Sequence, residues 1–211
     1  MRPVLPRLYL IADPDASTRR PIEQAVREAL AAGVRMVQYR DKKRTVREAY
    51  RLACALRSLT SDARALFVIN DRVDLALAVE ADGVHLGQSD LPIDIARDIL
   101  GPRRIIGISI HGVREAVEAE TQGADYVAFG AVYATSSKKI GKPAGPGPIR
   151  QVAAAVSLPV FGIGGIRPEH CAELLESGAH GVAVISAIIG SRNISVSVRD
   201  FLNAHGRRPS P

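Results

Sequence analysis

The chain has 211 residues, of which 46% are hydrophobic, 24% are charged and 4% are aromatic, and its formal net charge is +6. This length can form one large α/β domain with a substantial core. No apolar run approaches the roughly 20 residues that span a membrane, and the first residues lack the apolar stretch of a signal peptide. We therefore expect a cytoplasmic protein with no membrane association.

The positive charge lies largely in scattered helix arginines and in residues 206–211, which we expect to form a disordered basic tail. Few aromatic residues are available for base stacking, so we expect no nucleic-acid partner. A basic surface around a phosphorylated small-molecule substrate accounts for the charge. Cys54 and Cys171 have no partner at metal-ligand spacing, and we interpret both as small buried side chains in a reducing compartment.

Strand-like and helix-like segments alternate along the whole chain. Predicted strands cover 7–13, 36–40, 65–70, 83–87, 104–110, 126–132, 159–164 and 181–185. Predicted helices cover 21–32, 45–59, 73–79, 113–121 and 196–204. Within the second helix, Thr45 and Glu48 have the spacing of a capping box.

Eight βα units in about 200 residues indicate a single (β/α)8 TIM barrel, which we assign to residues 1–205. The strands are nearly continuous apolar runs, as expected when protein covers both faces. We expect glycine to supply the left-handed conformation at four helix-to-strand connections, which contain Gly33, Gly83, Gly123 and Gly178. A doubly wound open sheet is the alternative architecture.

A polar cluster ends the second predicted strand. Gln38, Arg40 and Lys42 share one face, because residues alternate sides along a strand, and Tyr39 and Asp41 share the other. Active sites of TIM barrels lie where strands end, and burying such polar groups is costly without a ligand. The cluster therefore indicates a binding site, with a charged loop edge as the alternative.

Two carboxylates follow the next two strands. Asp71 comes directly after Asn70, and Asp90 follows the fourth strand. Carboxylates at neighbouring strand ends suit one Mg²⁺ ion whose other ligands are phosphate oxygens and waters. Three cations end other strands and would neutralise a diphosphate; they are Arg40, Lys42 and Lys138. Helix capping is the alternative for Asp90.

The loops after strands six, seven and eight suit an anion. Residues 162–166 are glycine-rich and residues 185–187 follow the eighth strand, where backbone N–H groups commonly bind phosphate. A glycine turn without a ligand is the alternative. Residues 130–147 are rich in glycine, proline and lysine, which is typical of a mobile lid or of a plain flexible loop.

The histidines show no spacing of a metal pair or of a Ser-His-Asp set. His85 and His111 lie at predicted strand ends, where we expect them to face the site. We expect the other three histidines on helix surfaces or in turns; these are His170, His180 and His205.

Taken together, these motifs resemble those of the thiamine phosphate synthase family. The resemblance runs from Leu8 to Ile188 and is most specific at residues 38–42, 70–76 and 83–92. It implies a TIM-barrel transferase that couples hydroxymethylpyrimidine diphosphate to hydroxyethylthiazole phosphate. The implied reaction forms thiamine phosphate and releases diphosphate by a dissociative, magnesium-assisted mechanism.

The resemblance also implies roles for individual residues. Asp71 and Asp90 match the magnesium ligands, and Gln38 and Ser109 match residues near the pyrimidine and the breaking bond. The implied diphosphate contacts are Arg40, Lys42, Asn70 and Lys138. The implied contacts to the thiazole phosphate are Thr135, Ser137, Gly165, Ile185 and Ser186.

Two positions depart from the family pattern: Ala134 stands where proline is usual, and Ser137 stands where a second threonine is usual. Residues 138–142 also resemble the related thiazole tautomerases, which use a histidine as acid/base, and His111 is near the corresponding place. The complete diphosphate set favours the synthase. A non-catalytic sensor of a phosphorylated metabolite is a third interpretation, because fold alone does not fix function, and homo-oligomerisation is left open.

Overall fold

The computed structural model describes residues 4–135 and 143–206. Its centre is a closed barrel of eight parallel strands, each paired with its neighbours in chain order, with the eighth closing on the first. The strands are β1 Leu8–Ala12, β2 Met36–Tyr39, β3 Leu66–Asn70, β4 Gly83–Leu86, β5 Ile105–Ile110, β6 Tyr126–Gly130, β7 Val160–Ile163 and β8 Gly181–Val184. The predicted TIM barrel is confirmed, and each strand lies inside its predicted range.

Helices connect the strands on the outside of the barrel. They are α1 Ile22–Ala31, α2 Val46–Asp62, α3 Val73–Ala78, α4 Ile93–Leu100, α5 Val113–Thr121, α6 Gly147–Ala155, α7 Cys171–Glu176, α8 Ser186–Ile189 and α9 Ile194–Gly206. Helix α5 has its predicted bounds. Helices α4, α6, α7 and α8 were not bounded from the sequence. The last helix includes residue 206, and the rest of the predicted tail lies outside the described residues.

Local capping explains where several helices begin and end. Thr45 caps α2, where its hydroxyl accepts from the Glu48 N–H and the Glu48 carboxylate accepts from the Thr45 N–H, as the sequence predicted. Gly33, Gly123 and Gly178 adopt positive φ after their helices. The prediction was wrong at Gly83, which lies in β4. The left-handed residue after α3 is Glu80, with φ of 53°.

The core has two layers. The larger lies between the strands and the helices, and the smaller fills the barrel interior with side chains such as Tyr9, Met36, Tyr126 and Phe161. Every second residue of a strand faces the barrel interior. This alternation places Gln38 on β2 and His85 on β4 among the inward-facing residues. Polar side chains therefore emerge from the interior towards the carboxyl ends of the strands.

Two expectations about side-chain burial were wrong. Cys54 is exposed, whereas Cys171 is buried as expected, and both are free thiols. His205 was expected at a surface, but it is buried near the end of α9, where its Nδ1 lies 2.8 Å from the Phe201 carbonyl oxygen. None of the helices in the described part of the chain has the length and hydropathy of a membrane-spanning segment.

Candidate active site

One cavity of about 850 Å³ opens at the carboxyl ends of the strands. All eleven predicted site residues within the described part of the chain line it. They are Gln38, Arg40, Lys42, Asn70, Asp71, Asp90, Ser109, Thr135, Gly165, Ile185 and Ser186. The other two, Ser137 and Lys138, lie outside the described residues, as do residues 136–142 of the predicted lid. The barrel thus assembles side chains from all parts of the sequence at one opening.

Asp71 and Lys42 form an ion pair at the mouth of this cavity. Asp71 directly follows β3 and has a left-handed backbone with φ of 61°, a conformation that aspartate tolerates better than most residues. Its N–H donates to the His85 carbonyl oxygen at 2.7 Å. This strained turn is held by its backbone hydrogen bond to β4, and the ion pair with Lys42 holds the carboxylate at the cavity mouth.

Asp90 approaches the same position from the loop after β4. Its Oδ2 accepts from the Gly87 N–H at 2.7 Å. Burial, followed by a hydrogen bond with Asp71, raises the pKa of Asp90. Asp90 does not cap α4, since that helix begins at Ile93 and has Pro92 at its N-cap without a side-chain hydrogen bond. The capping alternative is therefore wrong for α4.

The acidic pair has the chemistry of a magnesium site with few protein ligands. Within residues 4–135 and 143–206, no group of three histidine, cysteine, aspartate or glutamate side chains could hold a metal. Asp71 and Asp90 are two adjoining carboxylates, and the energetic cost of bringing them together is the kind that a divalent cation offsets. Mg²⁺ commonly binds through one or two carboxylates together with substrate phosphates. The two residues fit that ion.

Arg40 has a partner that was not predicted from the sequence. Its guanidinium pairs with the buried carboxylate of Asp13, which follows β1. The other oxygen of Asp13 accepts from the Asp15 N–H at 3.0 Å. An aspartate directly after the first strand was the available signal, because that position faces the same barrel end. Asp13 orients Arg40 towards the cavity.

The glycines after β7 are required by the packing of the chain. Gly165 has φ of 63°, and a Cβ there would lie 2.2 Å from the Ala134 carbonyl oxygen. The Tyr133 N–H donates to the Gly164 oxygen at 3.0 Å, which joins the loops after β6 and β7. The family resemblance implies that Gly165 contacts the thiazole phosphate. The backbone contact with Ala134 requires glycine at this position whether or not a phosphate binds there.

The two histidines at the site have different environments. The His85 ring is buried inside the barrel, with Nδ1 2.9 Å from the Tyr126 hydroxyl and Nε2 3.0 Å from the Ser109 hydroxyl. Burial lowers the pKa of His85 to about 4, against a smaller opposing effect of Asp90. His111 also lines the cavity, but its side chain is 60% exposed and its Nδ1 lies 3.1 Å from Glu115 Oε2. Both histidines lie at the site, as predicted.

The protein is a closed (β/α)8 barrel of the TIM-barrel class, and two carboxylates, a lysine and an arginine line the end of the barrel where active sites of this class lie. Comparison with known proteins narrows this class. Residues 8–188 match the family model described as thiamine monophosphate synthase. The chain belongs to that family, whose members are transferases of thiamine biosynthesis.

Individual relatives cover nearly the whole chain. It is 46% identical to the thiamine-phosphate synthase of Moorella thermoacetica, covering 91% of this chain and 92% of the relative. It is 43% identical to that of Methanosarcina mazei, covering 92% and 81%. The solved thiamine phosphate pyrophosphorylase of Pyrococcus furiosus is 38% identical and superposes with a TM-score of 0.86, covering 95% of each chain.

Proposed function

We propose that this cavity couples hydroxymethylpyrimidine diphosphate to hydroxyethylthiazole phosphate, forming thiamine phosphate and diphosphate. The observation that carries the proposal is the cluster formed by Lys42, Asp71 and Asp90 at the barrel mouth. Two carboxylates can bind the metal ion of a metal-bound diphosphate, and the adjacent lysine can contact the diphosphate itself. Family membership supports the same reaction.

The leaving group determines what the side chains must do. The bond between the pyrimidine methylene carbon and the diphosphate oxygen breaks with its electron pair on oxygen. The resulting carbon cation is stabilised by the aminopyrimidine ring, so a nucleophilic side chain is unnecessary. Arg40 and Lys42 line the cavity where they would neutralise the departing charge, and we assign the same role to Lys138. The amide of Asn70 also lines the cavity and would donate a hydrogen bond to the diphosphate.

The new bond forms between the thiazole nitrogen and the same methylene carbon. The nitrogen supplies its lone pair, so no proton has to be removed. Gln38 and Ser109 would hold the pyrimidine side of this reaction from β2 and β5. Holding the two reactants in line makes bond formation effectively unimolecular. This positioning accounts for a large part of the rate enhancement available here.

Asp71 and Asp90 would hold one magnesium ion. When bound, it would stabilise negative charge on the diphosphate as a Lewis acid. The adjoining carboxylates support this assignment, because burial and the contact with Asp71 raise the pKa of Asp90. Without a cation, their mutual repulsion opposes the ionised pair.

The thiazole phosphate would bind on the other side of the cavity, between the loops after β7 and β8. Gly165, Ile185 and Ser186 line that side, and α8 begins at Ser186. Backbone N–H groups of a first helical turn point out of the helix and attract anions. Thr135 lines the cavity nearby, and we assign Ser137 to the same phosphate.

A coupled assay tests the proposed reaction directly. Purified protein should release diphosphate only with both substrates and magnesium present, and the product should be thiamine phosphate. Interconversion of thiazole carboxylate isomers without diphosphate release would instead identify a tautomerase. Binding without turnover of either kind would identify a sensor.

The cytoplasm is the proposed compartment, since Cys54 and Cys171 are free thiols.

A further inference from the structure

Five polar side chains form a continuous hydrogen-bonded chain through the barrel interior. Gln38 Nε2 lies 2.6 Å from Tyr9 Oη, which lies 2.8 Å from Tyr126 Oη. Tyr126 Oη lies 2.9 Å from His85 Nδ1, and His85 Nε2 lies 3.0 Å from Ser109 Oγ. The chain joins β2 to β5 across the barrel by way of β1, β6 and β4, and both of its ends line the cavity.

With Gln38 Nε2 as the first donor, one direction of donation pairs every buried proton of this chain. By distance alone either tyrosine could donate to the other, and a tyrosine oxygen can accept two hydrogen bonds. Because Gln38 Nε2 donates to Tyr9, the single proton of the fully buried Tyr9 hydroxyl is paired within this chain only when it points at Tyr126. Tyr126 then donates to His85 Nδ1. A neutral imidazole that accepts at Nδ1 carries its proton on Nε2.

The direction has consequences at both ends. His85 donates from Nε2 to the Ser109 oxygen, which leaves the Ser109 hydroxyl proton to point elsewhere. Gln38 uses one amide N–H within the chain, which leaves its carbonyl oxygen as an acceptor. The chain thus prepares a donor at Ser109 and an acceptor at Gln38, both at the cavity.

The rings of the chain are fixed by packing. Tyr9 and Tyr126 meet edge to face with centroids 5.7 Å apart, and Phe161 contacts both at 5.6 and 5.5 Å. Gly107 leaves the space for the Tyr126 ring, because a Cβ there would lie 1.9 Å from Tyr126 Cζ. Rings held on several sides keep their hydroxyl groups in place, and buried polar networks that are fully paired are rigid.

We propose that Tyr9, Tyr126 and His85 are positioning residues that couple the hydrogen-bonding direction of Gln38 to that of Ser109. The inference rests on the proposed function, in which Gln38 and Ser109 contact the pyrimidine substrate. The pyrimidine ring carries an amino group that can donate and ring nitrogens that can accept. The coupled pair selects a substrate that offers a donor to Gln38 and an acceptor to Ser109.

Removing one hydroxyl from the middle of the chain tests the proposal. Tyr126→Phe keeps the ring but removes both of its hydrogen bonds, and we expect kcat to fall about 10-fold or more while KM for either substrate changes less than about 3-fold. Tyr133→Phe is the matched control, since the Tyr133 hydroxyl donates to Glu173 outside the cavity at 2.8 Å. An equal loss in both variants, or none in Tyr126→Phe, would overturn the proposal.

A mutant cycle measures the coupling itself. We expect Gln38→Met and Ser109→Ala to be non-additive in kcat/KM when Tyr126 is present, and additive in the Tyr126→Phe background. Additivity in both backgrounds would overturn the coupling. Normal kcat/KM in both single variants would instead contradict the proposed substrate contacts, which distinguishes the two failures.

The tautomer of His85 can be determined without measuring enzymatic activity. In protein labelled with ¹⁵N-histidine, the resonances lost in His85→Gln identify this ring. We expect a neutral imidazole protonated at Nε2 near pH 7. A ring protonated at Nδ1 would reverse the direction of the chain and overturn the inference, whether or not the protein forms thiamine phosphate.

Discussion

Lys42 and Asp71 form an ion pair that joins the loops after β2 and β3 across the mouth of the barrel. The Asp71 backbone is held in its left-handed turn by a hydrogen bond to the His85 carbonyl oxygen, and its carboxylate contacts Lys42. The pair therefore keeps a cation and an anion at the cavity. Lys42 is placed to contact a diphosphate oxygen instead of Asp71 when the substrate binds. Asp71 is placed to bind a divalent cation instead of Lys42.

The first prediction concerns this carboxylate. Asp71→Asn should lower kcat by roughly 100-fold or more, because it removes a charge that holds the magnesium ion against the leaving group. Steady-state rates at increasing magnesium concentration measure the effect. Asp74→Asn is the matched control, since Asp74 pairs with Arg72 on the exposed start of α3 and does not line the cavity. Undiminished rates in an Asp71→Asn, Asp90→Asn double variant, or in excess chelator, would contradict the magnesium assignment.

The second prediction distinguishes a synthase from a tautomerase. A synthase breaks a carbon–oxygen bond to diphosphate, so Lys138→Ala should abolish most diphosphate release. A tautomerase only transfers protons and would depend on an acid/base such as His111. We expect His111→Asn to retain substantial thiamine phosphate formation, as measured by product chromatography. The reverse pattern, with isomerisation lost in His111→Asn, would favour the tautomerase.

The third prediction tests the separate site for the thiazole phosphate. Ser186→Asp places a carboxylate at the start of α8, where it is compatible with the helix but repels a phosphate. KM for the thiazole phosphate should rise about 10-fold or more, with a smaller change for the pyrimidine diphosphate. Ser186→Asn has nearly the same shape without the charge and should have little effect. Equal weakening of both substrates in Ser186→Asp would argue against two distinct anion sites.

The fourth prediction is about stability and does not involve a ligand. Gly165→Ala should lower the free energy of unfolding by about 1–3 kcal/mol, because it adds a Cβ at positive φ close to the Ala134 oxygen. Urea denaturation measures the change. Gly147→Ala is the control, since the added Cβ meets no atom within 4 Å apart from its chain neighbours and the backbone of its own helix. A Gly165→Ala protein as stable as the wild type would show that the contact is easily relieved.

The fifth prediction follows from the buried histidine. The folded protein takes up a proton at His85 only near a pKa of about 4, whereas an unfolded histidine takes it up near 6.5. The unfolded state therefore binds more protons between these values, and the free energy of unfolding falls as the pH decreases through this range. The contribution of His85 to this fall is roughly 3 kcal/mol once the pH is below both pKa values.

Urea denaturation from about pH 7 to about pH 4.5 would measure this dependence. His85→Gln cannot take up the proton, so the stability difference between wild type and variant should shrink as the pH falls. His111→Gln provides the reference for removing an exposed histidine at the same end of the barrel. A stability difference between wild type and His85→Gln that stays constant with pH would show that His85 has no such role.

The sequence was sufficient to predict the barrel and the composition of its mouth. Alternating strands and helices left few ways to bury eight apolar strands, and in this fold every strand ends at the same face. Gln38, Arg40 and Lys42 could be grouped because they alternate along one strand. Asp71 and Asp90 could be joined to them because each follows a strand of the same barrel.

Only the tertiary structure determined which of these groups meet. The pairing of Lys42 with Asp71 and that of Arg40 with Asp13 depend on loop geometry, which local sequence does not encode. The contact of Gly165 with Ala134 could not be distinguished in the sequence from a phosphate contact, since a requirement for glycine has the same sequence signal whatever causes it.

The polar chain in the barrel interior was also beyond the reach of the sequence. Tyr9 and Tyr126 are 117 positions apart, and each stands in an apolar strand where an aromatic ring is ordinary core. Their hydroxyl groups acquire a common direction only when closure of the barrel brings them against Gln38 and His85. Composition and spacing determined which side chains face inward, and closure determined which of their polar atoms became partners, because hydrogen bonds depend on distances between strands that are remote along the chain.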